Sequence, residues 1–147
     1  MSFHEKSNIA MLVIMLGVYG VYFGGAALGI LSADVPPEQA LAATNATMIV
    51  TVAAVVVLSI VAHIVIAILK PSEADESRDE RDRMIEMRGD QRGGFVLALG
   101  SFGALVLAML GFPVWMIANA ILAGLVAGEI VKAVSKLIEE VIEAGAL

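Results

Sequence analysis

An all-α, four-helix integral membrane bundle with short cytoplasmic helical extensions is the fold this sequence predicts, on three observations. Four long stretches are nearly free of charge. Each comes close to or reaches the roughly 17–25 residues that a helix needs to cross the hydrocarbon core, where only helices and closed barrels satisfy their backbone polar groups. All nine Lys and Arg residues fall on one side of the resulting arrangement. The chain is 147 residues long, 59 % apolar, with a mean hydropathy of +0.89. A soluble domain of this size has no core large enough to bury such runs.

The first span is expected over about 9–31 and the second over about 46–69. The run from Ile9 to Leu31 is too long for a signal-peptide core and reads as a retained span. The third is expected over 93–110 and the fourth over 113–131, joined by a tight turn at Gly111-Phe112-Pro113. Pro113 suits the first position of a helix, where its missing N–H is not needed. Lys6 precedes span one. Lys70, Arg78, Arg81, Arg83, Arg88 and Arg92 lie between spans two and three, and Lys132 and Lys136 follow span four. The positive-inside rule therefore puts both termini in the cytoplasm, and the whole chain reads as one domain. Trp115 fits an interfacial anchor at the outer side.

Three connectors complete the layout. Pro36-Pro37-Glu38 reads as a turn opening the second helix. The cytoplasmic connector, 71–92, is PSEADESRDERDRMIEMRGDQR, with Ser72 and Asp75 as a helix start, acids early and arginines late. Arg78 with Asp82, and Asp79 with Arg83, stand at i,i+4 spacing. Met84, Ile85, Met87 and Arg88 form the candidate interaction patch of this segment. Beyond span four the tail, 132–147, is expected to prolong the helix. There Ile130, Val134, Leu137 and Val141 recur at 4-3-4 spacing, a heptad seam too short to hold a coiled coil alone. The seam is expected to pack on the connector helix or on a second copy.

Small residues recur every fourth position in span one (Gly20 to Gly24, Gly25 to Gly29) and span four (Ala120, Gly124, Gly128). Gly20, Gly24, Gly124 and Gly128 are the expected sites of close helix packing, since lipid leaves van der Waals contact as the driving force. Residues 13–20, VIMLGVYG, echo residues 96–103, VLALGSFG. A duplicated hairpin would relate the halves by an axis along the membrane normal.

The segment DERDRMIEMRGDQRGGFVLALG resembles the stretch before the third helix of small, uncharacterised bacterial four-helix inner-membrane proteins, which carry a DERDxxIExR pattern there. The likeness covers roughly residues 79–103. It implies a bacterial inner-membrane setting and no catalytic residue.

Few residues carry chemistry. The absence of cysteine removes disulfides and thiolate metal sites, and a net charge of −6 argues against nucleic acid. His63 lies about seven residues, roughly 10 Å, inside span two. Ser59 or the carbonyl one turn back can satisfy it, and a proton-linked or ligand-binding role is its functional alternative. A bis-histidine haem site would need two copies of His63 in a dimer, because the other histidine, His4, is expected at the cytoplasmic N-terminus and not within a span. Glu129 is expected to pair with Lys132, and Asn119 to hydrogen-bond between helices. No nucleophile, paired carboxylates or metal ligands converge, so no cofactor and no enzyme activity is expected. The expected function is that of a non-enzymatic accessory or regulatory protein, possible partners being the lipid bilayer, a second copy or another membrane protein. The alternative is a small transporter or channel using His63, although no acidic residue stands at the centre of any span.

Overall fold

The computed structural model describes residues 3–69 and 80–145, and they form an all-helical bundle. The chain opens with α1 (Phe3–Val21), a π-helical segment (Tyr22–Ala27) and α2 (Leu28–Ser32). Backbone angles stay right-handed helical through both junctions, so these three pieces make one rod. Next come α3 (Pro37–Leu69), α4 (Glu80–Met109) and α5 (Val114–Glu143). The rod, α3, α4 and α5 are each long and apolar enough to cross a membrane.

Local chemistry explains the ends. Pro36 caps α3 by accepting from the N–H groups of Gln39 and Ala40, while Pro37 opens the helix with no donor to lose. Gly111 adopts a positive φ of 76° between α4 and α5, a conformation that side chains disfavour. Pro113 is the residue before α5 rather than its first, with an extended ψ of 146°. Its carbonyl accepts from Met116 and Ile117.

The helices run past the expected spans. Within the described residues the connector's helical extension and span three are one unbroken helix, α4. The proposed start at Ser72 lies outside the described residues, as do Arg78 and Asp79. The first helix starts at Phe3, about two turns before Ile9, and its π segment had no counterpart in the sequence reading.

The bundle is built around α5. Its most extensive partner is α4, antiparallel to it, and its next is α1. α1 also packs on α3, whose contact with α5 is smaller. The core joins Met15, Tyr19 and Tyr22 of the first rod to Leu122 and Val126 of α5, with Met48 and Val55 of α3 closing it. Elsewhere the usual soluble pattern is inverted. α3 is the most apolar helix, and none of its most apolar stretch is buried. An exposed apolar girdle of that kind marks a surface that meets something other than water. The α1–α5 contact has no equal between α4 and α3, so the packing does not follow the twofold relation that the 13–20 and 96–103 echo would suggest.

Candidate functional site

Polar chemistry collects at the end of the bundle where α1 begins and α5 ends. His63 uses both ring nitrogens there. Nδ1 lies 2.7 Å from the Ser59 carbonyl, which can only accept, so Nδ1 carries the proton. Nε2 then accepts from the hydroxyl of buried Ser7 at 2.5 Å. Asn8 donates to the Ala133 carbonyl at 3.0 Å. These two bonds bring α1, α3 and α5 to one level. Gly89 of α4 stands at the same level, where a Cβ would meet the Lys132 carbonyl at 3.3 Å.

Around that level runs a set of ion pairs between α4 and α5. Lys132 meets Asp90 at 2.6 Å, Lys136 meets Glu86 at 3.7 Å, and Arg81 meets Glu143. Glu139 receives both Arg92, at 2.8 Å, and Arg88, at 3.4 Å. Arg92 also donates to Ser135. Asp82 and Glu86 of α4 line a cavity against the start of α1, while Arg88 and Arg92 turn to Glu139.

Between the start of α1 and this pair is a cavity of about 410 Å3. Five carboxylates (Glu5, Asp82, Glu86, Glu129, Glu140) line it against three cations (Arg81, Lys132, Lys136). Met11 and Met15 form its apolar inner part. One carboxylate oxygen of Glu140 is buried there without a hydrogen-bond partner. Among the described residues no group of His, Cys, Asp and Glu has the spacing to hold a metal ion. Farther along the bundle, Tyr22 donates to Asn119 Oδ1 at 2.7 Å, and Asn119 Nδ2 donates to the Trp115 carbonyl at 2.8 Å. That bond ties the first turn of the π segment to α5.

The residues singled out in the sequence are therefore spread among several roles. His63 is hydrogen-bonded to the Ser59 carbonyl, as expected, and to Ser7, an unforeseen partner. Glu129 lines the cavity, but Lys132 pairs with Asp90 rather than with Glu129, because α4 brings that carboxylate closer. Asn119 bonds between helices. Ile85 is buried against α5, whereas Met84 and Met87 face outward. Ile130 packs on the core; Val134 and Val141 remain 37 % and 39 % exposed, with Leu137 half-buried. The face of α5 that meets α4 is Gly124, Gly128, Lys132, Ser135, Lys136 and Glu139 instead. Small size and charge complementarity, not the heptad apolar seam, make that contact. Gly124 and Gly128 sit against Gly100 and Gly93, while a Cβ on Gly20 or Gly24 would meet nothing within 4 Å. A signal for the missed partners was present: Ile85, Gly89, Gly93, Leu97, Gly100 and Ala104 recur at three- and four-residue spacing on α4.

Fold and site together define a class: an all-α four-helix bundle with an apolar girdle, four helices able to span a membrane, and a charged end. Comparison with protein-family models, curated proteins and solved structures gives no match.

Proposed function

We propose that this chain is a multi-pass protein of a bacterial inner membrane, with both termini cytoplasmic, that acts as a non-enzymatic accessory or regulatory subunit through its charged end. The observation that carries the reading is the continuity of the α4–α5 pair. It is interlocked by glycines beside the core and by ion pairs beyond it, so a partner held at its end is rigidly coupled to the membrane half. Met84, Met87, Val134, Ile138 and Val141 offer that partner outward apolar contacts.

Two experiments test it. The chain has no cysteine, so single replacements report sidedness. Asp34→Cys is expected to react with an impermeant maleimide from outside the cell, and Glu143→Cys only after permeabilisation. Reversed labelling would overturn the orientation. Native mass spectrometry of protein extracted in a mild detergent is expected to show another polypeptide or a defined homo-oligomer, lost when the chain is cut after Lys136. A bare monomer carrying a soluble small molecule or cofactor, rather than a membrane lipid, would overturn the accessory reading.

A second reading, a small transporter or channel, is favoured by one feature: the polar cavity with its unpartnered Glu140 oxygen. On that reading His63→Ala abolishes activity and truncation after Lys136 spares it.

A further inference from the structure

We propose that the outer flank of α4 is a binding site for one anionic phospholipid, its phosphate held by Arg88 and Arg92 and an acyl chain laid along Phe95, Leu99 and Phe102. The proposal rests on the membrane-spanning reading above. Those five residues follow one another at 4-3-4-3 spacing, which aligns them in a single stripe. The stripe is uncovered. α4 makes its main contacts with α5, and Phe95, Leu99 and Phe102 are 66 %, 57 % and 64 % exposed.

The head of the stripe is built for a phosphate. Arg88 and Arg92 both reach Glu139 through Nη1, and the same nitrogen of Arg92 meets Ser135. Glu139 is only 12 % exposed, while the two guanidinium side chains are 50 % and 53 % exposed. The carboxylate thus sits beneath and orients both forks, and the trio keeps one net positive charge facing outward. Guanidinium forks suit phosphate oxygens, which they bind through paired N–H donors. Lys132 is paired with Asp90 and takes no part in the trio.

Length and depth agree with a lipid occupant. From Arg92 to Phe102 is ten residues, roughly 15 Å of helix, about half the hydrocarbon thickness. Gly89 is level with Ala133, and through Ser7 and Asn8 with His63, as described above. α3 runs on from there through Ile64–Leu69, all apolar. The charged heads of Arg88 and Arg92 therefore stand well within the depth that α3 keeps apolar. A headgroup drawn in at α4 reconciles the two sides. A second copy fits the stripe poorly, since a twofold contact along the membrane normal would set Arg88 and Arg92 against their own copies.

The test is native mass spectrometry of the full chain in mild detergent, incubated with vesicles of equimolar phosphatidylglycerol and phosphatidylcholine. The wild-type chain is expected to retain phosphatidylglycerol about tenfold over phosphatidylcholine, because both carry the phosphate but only phosphatidylcholine sets a choline cation beside the trio's outward positive charge. Arg88→Gln with Arg92→Gln should bring the two lipids to parity. Arg88→Lys with Arg92→Lys, which keeps the charge on Glu139 and protects the fold, should retain part of the preference. Arg83→Gln, off the stripe, should leave it unchanged. Equal retention by the wild type, or an undiminished preference in the double glutamine variant, would overturn the proposal. So would a homodimer that Phe95→Ala with Phe102→Ala dissociates while lipid retention persists. Release of the protein from membranes by alkaline carbonate would sink the membrane reading itself, a separate outcome.

Discussion

The two helix pairs of this bundle, α4 with α5 and the first rod with α3, use glycine in opposite ways. On α4–α5 a Cβ at Gly100 would lie 2.5 Å from the Gly124 Cα, and one at Gly93 2.6 Å from the Gly128 carbonyl. Backbone meets backbone there, and ion pairs continue the contact past the core. Gly17, Gly20, Gly24, Gly25 and Gly29 of the first rod meet nothing. An open groove of about 810 Å3 runs between that rod and α3, with Gly17 and Gly25 on its wall. Side-chain hydrogen bonds hold the rod instead: Ser7 to His63, Asn8 to the Ala133 carbonyl and Tyr22 to Asn119. A four-residue spacing of small residues thus permits close approach without causing it. Closeness needs a second small residue at the matching height on the facing helix.

Substitution at the glycines should separate the pairs most sharply. Gly100→Leu is expected to cost about 3 kcal/mol through overpacking, read as a lowered thermal midpoint in detergent. Gly20→Leu should stay within about 0.5 kcal/mol; equal losses would erase the contrast. His63→Ala comes next, at about 2 kcal/mol, because it deletes two hydrogen bonds and leaves the buried Ser7 hydroxyl unpaired. A loss this large with helix content retained would place the histidine among the structural links of the first rod. Glu139→Gln should cost about 1 kcal/mol, limited by the half-exposed arginines and shrinking in high salt. A salt-independent loss would mean that packing, not charge, holds that end. Smallest is Tyr22→Phe, at about 0.6 kcal/mol, the usual worth of one interhelical hydrogen bond in a membrane. A much larger effect would show that the π segment depends on the bond to Asn119.

Much of the fold was legible along the chain. The apolar runs, Pro37 after Pro36, and Gly111 before Pro113 mark helices and turns through backbone chemistry that needs no neighbour. The π segment of the first rod was not legible. The composition change at Gly93 marks only where apolar residues begin, and helical hydrogen bonds pass through it unaffected. The site was legible only in part. Glu129, Asn119 and His63 stood out because polar groups among apolar ones are costly. Ser7, which bonds His63, and Asp90, which takes Lys132 in place of Glu129, did not, since each lies on another helix.

By itself, then, the sequence determined that this is a helical chain with four segments able to span a membrane, and where most of those segments begin and end. Hydrophobic runs, prolines and glycines act within a few residues of themselves. Only the tertiary structure decided which glycines touch, which face of α5 meets α4, and which carboxylate each lysine and arginine finds. Those choices depend on the relative height and rotation of whole helices. Such placements are set by the sum of many contacts, and no single stretch of sequence contains them.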